Sequence, residues 1–411
     1  MTAECCIHGS RPKHDIADIF RHFGQRFLET FSSSHEQIKV MNRIISCRTA
    51  ALGGHIDCCP DCDYQQNAYN SCRNRHCPKC QTMTKEKWLD SRVSELLPAT
   101  YYHLVFTLPH DLNPVILCNM KPLLDLLFSS VNQTIKQFAA DPQWRLQGKP
   151  GFIAVLHTWS QTILDHFHLH CLVPGGVLSE DNTQWTPSKK NYLFRTTSMV
   201  KAFKGIYIKG LKQLYQDGDL KFPGNTAKYG TRSGFKRMIK TIRRKKWSGY
   251  AKSSFSGPEK VLEYLGRYTH RVAISNHRIK TFEEGKVVFT WKDRAHDTIK
   301  EMTLDAVEFI RRFLLHVLPK GFKKIRYFGF LSPRYKTRNI ELIRKLTGDE
   351  FTEPIRPENE SLREMMVRLT GIDIKACPKC GKGRLIRLYE LLPVYAGYIV
   401  PQQKEAAWDT S

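Results

Sequence analysis

The chain has 411 residues, of which 41% are hydrophobic and 25% charged, values typical of a soluble globular protein with two or three domains. It carries 64 Lys and Arg against 39 Asp and Glu, and the resulting net charge of +25 favours nucleic acid as the partner, with an anionic membrane surface as the competing one. No apolar run approaches the roughly 18 residues needed to span a bilayer, and no signal peptide is evident, so we expect a cytoplasmic protein and no membrane partner.

Apolar periodicity predicts a chain that mixes helices and strands. The predicted helices cover residues 15–52, 82–97, 113–139, 197–216, 303–317 and 337–346, and one more begins at Gly257-Pro258-Glu259, where proline is tolerated early in a helix. The predicted strands cover residues 101–108, 152–156, 167–173 and 286–291. A short turn joins the second and third of these strands, which predicts a hairpin.

Residues 53–80 are rich in cysteine and have little apolar periodicity, so something other than a hydrophobic core must hold them. The chain has 13 cysteines, an odd number, and without an export signal we expect metal binding and free thiols rather than disulfides. Two Cys-x2-Cys turns separated by fourteen residues predict one structural zinc site. Its ligands would be Cys59, Cys62, Cys77 and Cys80, while His55, Cys58, Cys72 and His76 could complete a second site or only pack nearby.

A further Cys-x2-Cys turn, Cys377 to Cys380, lies near the C-terminus. It is half a zinc site with no second pair downstream. It could bind zinc with distant ligands or be a bare turn.

The segment 166–176 alternates as a half-buried strand does. Phe167, Leu169, Cys171 and Val173 would share one face, and His166, His168, His170 and Leu172 the other. His168 and His170 could therefore bind one divalent metal ion, although a His-x-His pair taken alone is more often structural. The third ligand stays open between Gln161, Asp165, His157 and His270.

Two tyrosines, Tyr264 and Tyr268, lie on the predicted helix that follows Pro258. At 100° per residue they are about 40° apart, so both hydroxyls could reach one site. Because Val261 and Leu265 lie near the same face, helix geometry alone favours a core role for the pair over catalysis.

Residues 221–258 contain eleven Lys or Arg and no Asp or Glu. Such a run either tracks a nucleic-acid backbone or forms a solvated charged face, and the lack of acidic partners favours the first. Phe235, Trp247 and Tyr250 are interleaved and could stack on bases. The residues predicted to contact DNA here and on the tyrosine helix are Lys236, Arg237, Lys240, Arg243, Arg244, Lys245, Lys246, Arg267 and Arg271.

Five stretches resemble the two-tyrosine HUH transposases of rolling-circle insertion sequences, which carry an N-terminal transposase zinc-binding domain. They are Leu52-Gly-Gly-His55 and residues 69–81, 166–176, 264–276 and 325–331. The resemblance extends from about residue 15 to residue 385. It implies an α+β fold with an antiparallel sheet of four or five strands flanked by helices, a zinc-binding domain at residues 1–98, a catalytic domain at 99–300 and a C-terminal DNA-binding region at 301–411.

The resemblance implies a role for each matching residue. His168 and His170 would be the two histidines of the HUH motif and would hold Mg²⁺ or Mn²⁺, while Zn²⁺ would be structural. Tyr264 and Tyr268 would be the nucleophiles that cleave and rejoin single-stranded DNA at element ends and target, through a 5′-phosphotyrosine link. The protein would then be DNA-associated. The alternatives are a zinc-dependent DNA-binding protein without catalysis and an HUH replication initiator.

Overall fold

The computed structural model describes residues 12–189, 193–254, 266, 272–293, 295–349 and 360–394. Over these residues helices combine with antiparallel sheets, which confirms the α+β prediction. The helices are α1 Ile16–Thr30, α2 His35–Ile45, α3 Pro78–Val93, α4 Asn113–Cys118, α5 Met120–Ala140, α6 Thr196–Gln216, α7 Arg232–Arg244, α8 Ala306–Leu315, α9 Lys336–Thr347 and α10 Leu362–Thr370. The strands are β1 Gly54–Cys58, β2 Gln65–Tyr69, β3 Tyr101–Thr107, β4 Gly151–Trp159, β5 Asp165–Pro174, β6 Gly176–Leu178, β7 Trp185–Pro187, β8 Gly249–Ser254, β9 Ile279–Glu283, β10 Lys286–Asp293, β11 Thr298–Asp305, β12 Ile325–Gly329 and β13 Ile386–Leu391.

The largest sheet has five strands in the order β12-β4-β5-β3-β8, and every neighbouring pair is antiparallel. Strands β4 and β5 form the predicted hairpin, in which Leu156 lies opposite Leu169 and His157 opposite His168. The edge strands β8 and β12 come from segments where no strand is predicted, because neither shows a clear apolar alternation.

One face of this sheet forms the main hydrophobic core. Phe167, Leu169 and Cys171 of β5 are fully buried there, as the predicted alternation requires. Helices α5, α6 and α7 cover them with apolar side chains at helical spacing. The alternate residues of β5 therefore lie on the opposite face, away from these three helices.

Other elements cover only part of the opposite face. Ile153 and Val155 pack with residues of α9, and Leu172 packs with Trp88 and Leu89 of α3. The part of the face that carries the histidines of β4 and β5 stays open as a cleft.

A second core lies beside the sheet. Helices α1 and α2 pack against α8 and the three-stranded sheet β11-β10-β9, with the rings of Phe20 and Phe313 edge to face at 5.4 Å. This core contains residues from all three predicted domains, so it is not confined to any one of them. The domain boundaries stay a prediction.

The main core provides a matched pair of stability tests. Leu169 is 0% exposed between two histidines of β5, whereas Leu164 is 47% exposed just before that strand. We expect Leu169→Ala to lower the free energy of unfolding by about 2–5 kcal/mol, because it leaves a cavity under α5 and α6. Leu164→Ala should change it by no more than about 0.5 kcal/mol. Urea unfolding of both variants measures this, and equal losses would contradict the burial of Leu169.

Candidate functional site

Three histidines converge in the open cleft. His157 comes from β4, and His168 and His170 come from β5; one ring nitrogen from each lies within 4.8 Å of the others. The Nε2 atoms of His168 and His170 are 3.1 Å apart. The cleft has a volume of about 380 Å³ and is also lined by Gln161, His166 and Tyr250. Three imidazoles facing open space can bind a divalent ion and leave coordination positions for oxygen ligands.

Hydrogen bonds orient two of these rings. His168 Nδ1 lies 2.7 Å from the carbonyl oxygen of His166, so this nitrogen carries the proton and Nε2 keeps its lone pair for a metal. His170 Nδ1 lies 2.8 Å from His103 Nε2, and His103 Nδ1 lies 2.7 Å from the Tyr250 hydroxyl. Burial, reinforced by the charge of Lys252, lowers the pKa of His103 to about 3. His103 is therefore neutral at pH 7 and can accept the Nδ1–H of His170.

The structure distinguishes among the candidates for the third ligand. His157 lies directly opposite His168 in the sheet and joins the cluster. Gln161 lines the same cleft as the three histidines, and Asp165 sits at the end of the hairpin ladder, opposite Trp159. His270 lies outside the described residues.

The two tyrosines, Tyr264 and Tyr268, also lie outside the described residues, as do Arg267 and Arg271. Gly266, between the tyrosines, is described as helical and buried. A Cβ atom at Gly266 would come within 2.7 Å of Leu89 on α3, so the backbone there lies directly against that helix.

A first cysteine cluster lies in the N-terminal region. Cys47 and Cys72 join Cys77 and Cys80, which occupy the start of α3. Cys80 Sγ is 3.5 Å from Cys47 Sγ and 3.6 Å from Cys72 Sγ. Four thiol groups at this spacing suit a tetrahedral zinc ion with no position left for substrate, which is the arrangement of a structural site.

The structure separates the four thiols predicted to share one zinc site. Cys59 and Cys62 occupy the turn between β1 and β2, whereas Cys77 and Cys80 lie near the other end of that hairpin. Five residues of β1 span roughly 16 Å, too far for one ion to bind both pairs. Cys59 and Cys62 instead meet Cys377 and Cys380.

The other candidate zinc ligands near the two Cys-x2-Cys turns do not all join a cysteine cluster. Cys72 joins the first cluster, but His55 and His76 join neither. His55 Nε2 lies 3.4 Å from a carboxylate oxygen of Asp57. Burial, together with the adjacent charge of Arg75, lowers the pKa of His76 to about 3.

Helix α7 presents the predicted basic surface. Its apolar residues Phe235, Met238, Ile239 and Ile242 enter the main core. Seven of the nine basic residues predicted to contact DNA lie on its exposed side or just beyond its end; they are Lys236, Arg237, Lys240, Arg243, Arg244, Lys245 and Lys246.

The structure corrects the role predicted for two aromatic residues in this segment. Phe235 stacks on Tyr215 inside the core, and Trp247 is 4% exposed and donates its Nε1–H to the carbonyl oxygen of Ile242. Neither can stack on a base. Tyr250 is 44% exposed and lines the cleft.

Two residues of these sites do not follow from the sequence reasoning. His103 could have been found, because the alternation of Tyr102, Leu104 and Phe106 toward the core places it on the histidine face. Cys47 has no Cys-x2-Cys partner, so its spacing carries no signal. Within the described residues, no helix combines the length and apolar character that crossing a membrane requires.

Comparison with known proteins finds transposases. A family model described as "Putative transposase" matches residues 151–339, and one described as "Transposase zinc-binding domain" matches residues 19–108. "Putative transposase y4qJ" of Sinorhizobium fredii is 41% identical over 98% of this chain and 100% of its own length. The transposase for insertion sequence element IS801 of Pseudomonas savastanoi pv. phaseolicola is 28% identical over 72% of this chain and 71% of its own.

Among solved structures, the conjugative relaxase TrwC in complex with oriT DNA is 14% identical, with a TM-score of 0.23 over 40% of this chain and 68% of that one. A TM-score this low does not establish a common fold.

The two family models cover the zinc-binding region and the histidine-bearing hairpin, and the class they define is a transposase, a protein that binds, cleaves and joins DNA. The chain belongs to the family of rolling-circle insertion-sequence transposases that have an N-terminal zinc-binding domain. The zinc-binding domain and the cysteine clusters together support structural zinc.

The contact between His103 and His170 predicts an effect on metal affinity. We expect His103→Ala to weaken Mn²⁺ binding roughly 10- to 100-fold, because His170 loses the partner that orients its ring. His277→Ala, which changes an exposed histidine, should leave the affinity unchanged. Isothermal titration of the two variants measures the difference, and equal affinities would show that His103 does not orient His170.

Proposed function

We propose that this transposase cleaves and rejoins single-stranded DNA by transesterification on a tyrosine, in the cleft above His157, His168 and His170. The observation that carries the proposal is the convergence of these three imidazoles on the open face of an antiparallel sheet. DNA binding without chemistry does not require three metal-ligating side chains in an open cleft, whereas the proposed reaction does.

The residues present fit a divalent ion. The 3.1 Å between the Nε2 atoms of His168 and His170 agrees with the roughly 3.0 Å expected between neighbouring ligands of an octahedral ion with bonds of about 2.1 Å. Imidazole ligands favour Mn²⁺ over Mg²⁺, which prefers oxygen. When bound, such an ion withdraws charge from the phosphate that is to be cleaved.

The reaction proposed is an exchange of phosphate esters. The hydroxyl of Tyr264 or Tyr268 loses its proton and attacks the phosphorus; a tyrosine–phosphate bond forms and the bond to the 3′ oxygen breaks. The 3′ oxygen takes up a proton, and this 3′-OH, or the second tyrosine, then attacks another phosphate. A tyrosine of ordinary pKa near 10 needs a nearby cation such as Arg267 or Arg271 to favour the phenolate.

One described residue of the tyrosine segment, Gly266, contacts Leu89 of α3. Leu89 and Trp88 of α3 pack against Leu172, which lies two residues beyond His170 on the same face of β5. Gly266 is therefore linked to the histidine face through Leu89 and Leu172.

The path of the chain links the basic helix to the cleft. Helix α7 ends at Arg244, and Ser248, Gly249 and Tyr250, only a few residues later, line the cleft. DNA held along α7 by its phosphates would reach the histidines within a short distance. Tyr250 stands at the entrance, where an exposed ring can stack on an unpaired base.

A covalent-adduct assay tests the reaction. A labelled single-stranded oligonucleotide that carries the element end is incubated with the full chain and Mn²⁺, and we expect an adduct that resists denaturant. His168→Ala combined with His170→Ala should abolish the adduct, as should Tyr264→Phe combined with Tyr268→Phe. His277→Ala should form it at the wild-type rate.

Each failure has a different meaning. An adduct that persists without the histidines would overturn the metal assignment, and one that persists without the tyrosines would overturn the nucleophiles. If the wild type binds the oligonucleotide but never forms an adduct, the protein binds DNA without this chemistry.

The exposed cations of α7 predict a salt effect. We expect Lys236→Ala, Lys240→Ala and Arg244→Ala together to weaken single-strand binding and to reduce the slope of log K against log salt by about 2, at about 0.7 for each lost phosphate contact. Lys280→Ala, Lys286→Ala and Lys300→Ala form the matched control; they remove the same charge from the three-stranded sheet, where Lys300 pairs with Asp293. Fluorescence anisotropy at several salt concentrations measures both slopes. Equal reductions would show that the α7 substitutions act only by lowering the net charge of the protein.

A further inference from the structure

A second group of four thiols joins distant parts of the chain. Cys59 and Cys62 lie in the turn between β1 and β2, and Cys377 and Cys380 lie between α10 and β13. Cys59 Sγ is 3.8 Å from Cys380 Sγ, and Cys62 Sγ is 3.6 Å from Cys377 Sγ. These pairs are 321 and 315 residues apart in sequence.

The spacing of the sulfur atoms suits one tetrahedral ion. A Zn–S bond of about 2.3 Å places neighbouring sulfurs of a four-thiolate site about 3.8 Å apart. The four sulfur atoms all lie within 4.8 Å of one another. Cys59 and Cys377 are fully buried, so the centre of the group is shielded from water.

The two turns that supply the thiols have the same backbone geometry. Each has the sequence Cys-Pro-x-Cys, and the residue after the second cysteine has a positive φ, 52° at Asp63 and 66° at Gly381. The N–H of Asp63 donates to the carbonyl oxygen of Cys59, and that of Gly381 to the carbonyl oxygen of Cys377, both at 2.9 Å. Two matched turns that face each other can supply the four thiolate ligands of one metal ion.

Gly383 closes the backbone around the sulfur atoms. Its N–H lies 3.3 Å from Cys380 Sγ and can donate to a thiolate there. A Cβ atom at this position would lie 2.4 Å from Cys59 Sγ, so only glycine allows the chain to approach this closely.

Among the described residues, few apolar side chains pack around these cysteines. Leu385 is the buried apolar residue that accompanies the cysteines, and Tyr64 is half-buried. Strand β13 pairs with β1, but its side chains are mostly exposed, and Leu392 just beyond it is 81% exposed. Small units without a sufficient core commonly depend on a metal for their stability.

We propose that Cys59, Cys62, Cys377 and Cys380 bind a second structural zinc ion, which fastens the C-terminal strand β13 to the N-terminal zinc-binding region. The matched zinc-binding domain ends at residue 108, so it does not include the second pair of ligands. Cys58 is not a ligand; it lies at the end of β1, and its Sγ is 3.7 Å from the carbonyl oxygen of Cys59.

Metal content of the purified full chain tests the proposal, with zinc and iron measured by mass spectrometry. We expect two zinc ions per wild-type chain and one in the variant that combines Cys377→Ser with Cys380→Ser. Cys58→Ser, beside the site, and Cys118→Ser, an exposed cysteine outside both clusters, should keep two. One zinc in the wild type, two in the double variant, or iron in place of zinc would overturn the proposal.

A second measurement needs no variant and holds even if the double variant fails to fold. Native protein is treated with N-ethylmaleimide, with and without a chelator, and the modified cysteines are identified by peptide mass. We expect Cys59, Cys62, Cys377 and Cys380 to be protected together and to become reactive together when the metal is removed, while Cys118 reacts in both cases. If Cys377 and Cys380 react as fast as Cys118 before chelation, no metal binds there.

Discussion

The register between β3, β4 and β5 is the constraint on which the rest of the structure depends. It places His157 opposite His168, and it places His170 between β3 and β4 so that one of its ring nitrogens meets the cluster and the other meets His103. A slip of one residue would turn the imidazoles into the apolar core and the core residues into the cleft. Because Leu169 and its alternate neighbours are buried beneath α5 and α6, packing on one face fixes the geometry of the histidine cluster on the other.

In the N-terminal cysteine-rich region, metal ligands take the place of apolar packing in fixing the positions of the strands. Hairpin β1–β2 is too polar to form a core, and its length keeps the cysteines at its turn apart from those at its base. Strand β1 is the middle strand of its sheet, with β2 on one side and β13 on the other. The hairpin thus connects the start of the chain to its end, and it makes the order of the cysteines in the sequence a poor guide to their grouping.

A short stretch of chain connects the basic helix α7 to the histidine cleft. Helix α7 buries Phe235 and Ile242 in the main core and exposes its cations, and a few residues later the chain enters the sheet as β8. Tyr250 on β8 contacts His103, which in turn contacts His170. The basic surface and the histidine cluster are therefore held by one core, and such a scaffold suits the proposed reaction, in which a phosphate must be held in place while bonds exchange.

The sequence by itself determined what depends on neighbouring residues: the alternation that puts His168 and His170 on one face, the Cys-x2-Cys turns, and the apolar periodicity of α5 and α6. Each follows from local geometry, a repeat of two residues in a strand and of 3.6 in a helix. Only the tertiary structure decided that His157 completes the cluster, and that Cys59 meets Cys380 rather than Cys77. These contacts depend on which strands pair across long stretches of chain, and that choice is made by the burial of whole sheet faces, which no spacing within a motif records.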